Sequence, residues 1–255
     1  MVKTMRLLSK FQNLSPNDES TITALKDEYI NFIYENIYKE MYLIAKNHLM
    51  REPNRTLEIG AGSLSKAEQY FSNIQLSDGS SVSKFGKENQ LIAENLPFEK
   101  ATFDIVLAKD TLHHFSDTDK ALSEISRVLK PDGLFIVSEP YWSLLGRVIF
   151  RFIHPEKWET NPSELKNESS DPFDANQATL LCLHGSKFND LVIKNSLILK
   201  VSNPTYGFSY LLSGGLNWRN KIPFSFLRKI DRAEKYFKTF KYFTGLNILA
   251  TFKKS

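Results

Sequence analysis

Residues Arg55–Ser65 read "RTLEIGAGSLS". A short apolar run, Leu57 and Ile59 around Glu58, ends in Gly60 and Gly62 with one residue between them. This pattern predicts a strand that runs into a tight turn passing under a phosphate or a nucleoside. A nucleoside triphosphate asks for GxxxxGK[ST], which the stretch does not supply, and a dinucleotide asks for GxGxxG, whose third glycine is here Ser65. Glu58 separates what is left. A carboxylate two residues before Gly60 repels a pyrophosphate and suits a nucleoside that carries positive charge.

Downstream, the order alternates. The strand at 56–59 is followed by a polar segment with helical content (64–72) and the strand-like "NIQLSD" (73–78). A short "QLIA" (90–93) precedes the strand "FDIVLA" (103–108), the helix "DTDKALSEISRVLK" (117–130), a Pro131-Asp132-Gly133 turn and the strand "LFIVSEP" (134–140). "FNDLVIKNSLILKVS" (188–202) reads as helix then strand, and "GLNILATFKK" (245–254) as a last strand. Alternation of this kind predicts an α/β fold whose mostly parallel sheet is covered on both faces. Ligands of such sheets bind beyond the carboxyl ends of the strands, so the chemistry is expected there. Upstream, residues 17–50 carry Ile30, Ile33, Ile37, Met41 and Ile44 at helical spacing, with Ser15-Pro16 and Asp18 as start signals and Pro53 as the break.

The 255 residues are 42% apolar and 24% charged, which fits one soluble domain with insertions. Four parts are expected within it: an N-terminal helical segment (1–54), a ligand-binding core (55–140), a first insertion (141–185), and a sheet-completing part (186–255) holding a second insertion at 203–243. A single cysteine, Cys182, precludes an intramolecular disulfide and fits a reducing cytosol. No apolar run reaches the ~18–20 residues of a membrane span, and the basic N-terminus lacks the apolar core of a secretion signal. The expected location is cytoplasmic. Charge is uneven: residues 203–255 hold ten Lys/Arg against two Asp/Glu, a tail of +8 on a body of −4. Such a tail suggests an anionic partner.

The core resembles the class I S-adenosylmethionine-dependent methyltransferases, the small-molecule type 11 group among them. "LEIGAG" resembles that family's first motif. "AENLPFEKATFDIVLAKDTLHHFSDTDKALSEISRVLKPDGLFIVSEP" resembles its middle: an acidic-Leu-Pro-Phe turn, Phe-Asp at a strand head, His-His after that strand, then Arg-Val-Leu-Lys-Pro-x-Gly. The resemblance implies a Rossmann-like sheet of seven strands, mostly parallel with the last antiparallel, N-terminal helices, and two insertions forming a substrate cap. It implies S-adenosylmethionine as cofactor, with S-adenosylhomocysteine as product. Gly60, Ala61 and Gly62 would pass under the methionine part, with Glu58 behind them. Asp78 would take the ribose hydroxyls, Ala93 and Glu94 would lie beside the adenine, and Ala108 and Lys109 would lie near the amino-acid end. Two departures stand out. Ile92 occupies the place of an acidic residue that reads the adenine amino group. Only fourteen residues separate Asp78 from Ala93, too few for a helix and a strand, so a loop or single turn is expected over 79–92.

Methyl transfer to a hydroxyl profits from a general base, and histidine suits that role near neutral pH. His113 and His114 follow the fourth family strand at the ligand edge; His154 lies in the first insertion and could reach over the site. Glu139, Tyr141 and Asp110 are expected nearby, with Asp110 either a base, a partner of Lys109 or a turn cap. No metal site is expected, because no HxH or HExxH spacing occurs.

The insertions are expected to choose the acceptor. "FRFIHPE", "DPFDANQA" and "YLLSGG" resemble segments of bacterial methyltransferases associated with surface-polysaccharide synthesis, which implies a sugar hydroxyl on a small or lipid-linked, anionic acceptor. Quinone, lipid, polyketide and amine acceptors, or a non-catalytic binding role, are the alternatives. In 223–243, Leu227, Ile230, Ala233, Phe237 and Phe240 form an apolar stripe beside Arg228, Lys229, Arg232, Lys235 and Lys238. That stripe would either pack on the protein's own sheet or contact a membrane surface peripherally. Nucleic acid is the least favoured partner, since no Asn-Pro-Pro-Tyr-like motif is present.

Overall fold

The computed structural model describes residues 27–62, 64–77, 91–152, 186–214 and 222–255. Six strands form one sheet among these residues: β1 (Thr56–Ile59), β2 (Ile74–Ser77), β3 (Phe103–Lys109), β4 (Leu129–Pro140), β5 (Leu197–Pro204) and β6 (Asn247–Lys254). Their order is β2-β1-β3-β4-β6-β5. The β1–β2, β1–β3 and β3–β4 ladders are parallel, whereas β6 runs antiparallel to both its neighbours. This is the mixed, doubly covered α/β sheet expected, with the antiparallel strand inside the order rather than at its edge.

Every residue of β3 is buried, as a parallel strand covered on both faces requires. Its side chains alternate between two cores. Val106 and Ala108 face helix α2 (Thr118–Val128) and helix α4 (Ser186–Lys194), while Ile105 and Leu107 face helix α1 (Glu28–Leu49). Helix α1 forms because Asp27 accepts from the amides of Tyr29 and Ile30 at 2.8 and 2.9 Å, and because Ile30, Ile33, Ile37 and Met41 make a core-facing stripe. Ala45 continues that stripe where Ile44 was expected to, and Ile44 is only partly buried. The start signals at residues 15–18 lie outside the described residues.

The seven-strand expectation meets six strands among the described residues. Leu91 and Ile92 join no ladder, and a turn follows at Ala93. The loop expected at 79–92 otherwise falls outside the described residues, apart from Leu91 and Ile92.

The second insertion contributes helices α5 (Phe208–Ser213), α6 (Phe224–Tyr236) and α7 (Lys241–Thr244). Its expected stripe is corrected. The buried seam of α6 is Leu227, Asp231 and Glu234, while Ala233 and Phe237 are exposed. Glu234 turns inward because it accepts from the Phe208 and Ser209 amides at 2.6 and 3.2 Å and from the Ser209 hydroxyl. Of the first insertion, the described part is residues 141–152, including helix α3 (Leu144–Phe152).

The Phe-Asp motif at the head of β3 is structural. Asp104 is buried, accepts from Arg51 at 2.7 Å, from Lys130 at 3.1 Å and from the amides of Asn54 and Arg55. Burial alone would raise its pKa, but these donors outweigh burial and hold it at about 2. A depressed carboxylate contributes stability above its unfolded pKa, near 4, and loses it as pH falls through about 2. Asp104→Asn is therefore expected to cost about 1–3 kcal/mol at neutral pH and to flatten the acid limb of the stability curve between about pH 4 and 2. Urea titrations across that range measure both effects.

Candidate cofactor site and proton-transfer pair

The carboxyl ends of β1, β3 and β4 meet at one edge, and the glycine turn leaves β1 there. Gly60 and Gly62 have φ of +67° and +54°, left-handed values that a side chain penalises. Their surroundings differ. A Cβ on Gly60 would stand 2.3 Å from the Thr111 side chain, whereas a Cβ on Gly62 would meet nothing within 4 Å. Gly60 is small so that the segment after β3 can approach; Gly62 borders open space in which a ligand can lie against backbone. The Ala61 amide donates to Ser77 O at 2.8 Å, so the turn is tied to the end of β2. Asp78, next along the chain, lies outside the described residues, as does His154.

Glu58 is fully buried. Its carboxylate accepts from the Tyr38 hydroxyl of α1 and from the Ser65 hydroxyl at 2.6 Å. Burial and the neighbouring carboxylate push the Tyr38 phenol well above its ordinary pKa, so Tyr38 keeps its proton and donates a hydrogen bond to Glu58. Glu58 thus ties the turn to α1 through Tyr38 and Ser65. The Tyr38 partnership was not legible in the sequence, because nothing in the spacing pairs a helix residue with a strand twenty positions later.

At the end of β3, Ala108 is buried in the sheet and Lys109 turns its side chain inward. The ammonium of Lys109 pairs with Asp110 and lies 3.8 Å over the Tyr34 ring. Burial would push Lys109 down, but Asp110 and the hydroxyl groups of Tyr34, Tyr206 and Tyr38 outweigh it and raise its pKa well above normal. Lys109 is a fixed cation. Asp110 sits at φ +49° and is held there by its amide to Ser138 O (2.8 Å), by Lys109, and by Asn247 Nδ2 (3.1 Å). Of the roles open to Asp110, pairing with Lys109 is the one found. Tyr206 and Tyr210, from the second insertion, stand beside this pair with rings 5.4 Å apart.

The next residues build a carboxylate–histidine array. Glu139, buried at the end of β4, accepts from the amides of Thr111 and Leu112 at 2.8 and 2.7 Å and contacts His113 Nδ1 at 2.5 Å. The carboxylate thereby draws the imidazole proton to Nδ1 and leaves the lone pair on Nε2. His113 is buried; the His114 ring lies tilted against it, with centroids 4.1 Å apart and planes at 44°, and is partly exposed. Thr111, which starts this segment, donates to Gly60 O at 3.3 Å and to Lys109 O at 2.9 Å. The glycine turn and the histidine pair are therefore one hydrogen-bonded unit.

Ala93 is buried in the α2-side core. Glu94 accepts from the Asp117 amide at 3.0 Å, so its side chain helps to seat the start of α2. Ile92 is exposed and presents an apolar surface at the expected adenine position. The acidic-Leu-Pro-Phe turn is fixed from α2: Glu124 accepts from the Leu96 amide, and Arg127 donates to the carbonyls of Leu96 and Phe98.

The comparisons with known proteins agree with this geometry. A family model for the methyltransferase domain matches residues 56–137. The chain is 31% identical over 153 residues to an uncharacterized methyltransferase of Bacillus subtilis, YcgJ, covering 54% of this chain and 60% of that protein. An uncharacterized protein of Escherichia coli, YafE, is 47% identical over 47 residues, 18% of this chain and 23% of its own length. A crystal structure of Bacillus subtilis YcgJ superposes with a TM-score of 0.45 at 24% identity, covering 83% of this chain and 96% of that one. Residues 56–137 are thus similar to a methyltransferase domain, of the kind that works with S-adenosylmethionine, and the chain spans 60% and 23% of the lengths of these two relatives.

Proposed function

We propose that the protein transfers a methyl group from S-adenosylmethionine to a hydroxyl of a small or lipid-linked acceptor, a sugar by preference. The observation that carries this reading is the carboxylate–histidine–histidine array of Glu139, His113 and His114 beside the glycine turn. The residues fit the cofactor: Gly62 leaves open backbone, Glu58 supplies a buried negative charge, and Ile92 offers an apolar face for a base. When bound, S-adenosylmethionine supplies an electrophilic methyl carbon on a sulfonium.

The chain's own part is alignment and proton removal. Glu139 fixes His113, and the His113 ring braces that of His114 packed at a tilt against it. The partly exposed partner of the pair, His114, would take the proton of the acceptor hydroxyl; the bound cofactor would supply the methyl group, its carbon–sulfur bond breaking as the carbon–oxygen bond forms, with S-adenosylhomocysteine and a methyl ether as products. Tyr206 and Tyr210 bring the second insertion over the same edge, which supports its role as a wall of the acceptor site. The sugar preference rests on the insertion segments and on the basic tail, which suits an anionic carrier.

Two measurements test the proposal. Calorimetric titration with S-adenosylmethionine and S-adenosylhomocysteine is expected to show binding that Asp78→Ala abolishes. Incubation with methyl-labelled cofactor and a panel of free and lipid-linked glycan precursors is expected to place label on oxygen. Label found only on amines from a parallel panel would overturn the hydroxyl assignment while leaving the cofactor assignment intact.

A further inference from the structure

The face built by α3 and the α6–α7 segment sorts its side chains in an unusual way. On α3, Leu144, Val148 and Phe152 stand at i, i+4 and i+8 and are 62%, 50% and 65% exposed. The inward side of that helix is Gly146 and Phe150. Helix α7 packs against α3 and continues the exposed apolar surface with Tyr242 and Phe243. Phe237 and Phe240, which connect α6 to α7, are exposed too. Each side chain so displayed forgoes burial worth about 1.5–3 kcal/mol, and a cluster of them calls for an occupant.

Within α3 and residues 222–245 the exposed charges have one sign, while the neighbouring helix α1 brings the exposed Glu40 near Lys241. Residues 222–245 contain two acids, Asp231 and Glu234, and both are buried and bonded within the chain. Helix α3 contains none. The bases Arg147, Arg151, Lys229, Arg232 and Lys235 are exposed. Acids inside and bases outside, interleaved with protruding aromatics and aliphatics, is the arrangement of an interfacial helix surface.

We propose that this face docks peripherally on an anionic lipid bilayer. Charge complementarity selects the occupant: a zwitterionic surface gives the bases nothing to pair with. The aliphatic side chains of α3 choose lipid over nucleic acid, because Leu144 and Val148 insert among acyl chains but have no base to stack on. No described helix is long and apolar enough to cross a membrane, so the attachment is a surface one. The inference is independent of the acceptor assigned above, since it concerns a surface and not the histidine pair.

The test is sedimentation of the full chain with vesicles of phosphatidylglycerol and phosphatidylcholine against vesicles of phosphatidylcholine alone, at low and high salt. Binding to the anionic vesicles, weakened by salt, is expected. Arg147→Glu combined with Arg232→Glu should weaken it by at least about thirtyfold, at roughly the worth of one surface charge per residue. Phe152→Ser combined with Phe237→Ser should weaken it without changing its salt dependence. Both variants touch exposed residues, so thermal midpoints should stay within about 2 °C of the parent. Equal binding to neutral vesicles, or none to either, overturns the proposal. So does RNA binding that both variants abolish in the absence of vesicle binding, which would give the face to nucleic acid. Self-association in solution that Phe152→Ser with Phe237→Ser abolishes would give it to a second copy.

Discussion

Glu139→Ala is expected to cost about 3–5 kcal/mol of stability, the range for breaking a buried charge-bearing pair. One carboxylate satisfies the amides of Thr111 and Leu112 and His113 Nδ1, all at a buried position. Alanine removes both carboxylate oxygens, and with them all three contacts, and frees the segment that carries both histidines. Calorimetry should show the midpoint falling by roughly 10–15 °C for a chain of this size. Glu139→Gln separates structure from chemistry. Its amide oxygen can still take the two backbone donors, so most of the stability returns, but the negative charge facing His113 is gone. Methyl transfer should therefore stay depressed by about a hundredfold or more in Glu139→Gln while cofactor affinity is unchanged. His114→Ala is expected to lose a similar factor, about 10²–10⁴, with no loss of stability, whereas His113→Ala should lose both. A stable, fully active Glu139→Ala protein would falsify the array as the working element.

The second large effect distinguishes two glycines that look alike in sequence. Gly60→Ala combines a left-handed penalty of about 1–2 kcal/mol with the cost of forcing a methyl into the Thr111 side chain, about 1–3 kcal/mol. A total of about 2–5 kcal/mol is expected, read by denaturant unfolding. Adding Thr111→Gly removes the overlap but not the backbone penalty, so the double variant should regain part of the loss. Gly62→Ala meets no neighbour and should cost about 1 kcal/mol of stability. Its methyl group instead occupies the open space beside the turn, and the affinity for S-adenosylmethionine should drop at least about tenfold. Should Gly62→Ala bind the cofactor as the parent does, the ligand does not pass over that residue.

Hydrophobic pattern and turn chemistry made much of the sheet readable. The strand segments at 56–59, 73–78, 103–108, 134–140 and 245–254 correspond to β1, β2, β3, β4 and β6, but β4 begins at Leu129 and absorbs the turn expected at Pro131-Asp132-Gly133 as an irregularity of its pairing with β3, Asp132 taking φ +61°. The helix expected at 117–130 is Thr118–Val128, capped by Asp117, which accepts from the Lys120 amide at 3.0 Å. These elements are legible because a covered parallel strand must be apolar on both faces and a surface helix on one. The α6 stripe was misread for a related reason. Helical spacing names candidate faces, but a carboxylate can win the inner face when it finds backbone donors, as Glu234 does on α5. Periodicity alone does not register such a partner.

The glycine turn, the carboxylate before it and the two histidines at the same sheet edge could be named from the chain alone, because glycine conformations and side-chain identities are local properties. Which histidine is anchored could not. His113 and His114 are adjacent and identical, and only the packing of β4 against the end of β3 puts Glu139 beside one of them. The same holds for Glu58, whose charge was apparent and whose Tyr38 partner was not, and for Lys109, whose ammonium is enclosed by tyrosines from α1 and the second insertion. The sequence by itself determined the order of elements, the ligand-binding edge and the sign of charge beneath the turn, since each depends on residues close along the chain. Only the tertiary structure decided which side chains hold those groups in place and which face is left exposed, because those contacts join residues that sequence separation leaves uncorrelated.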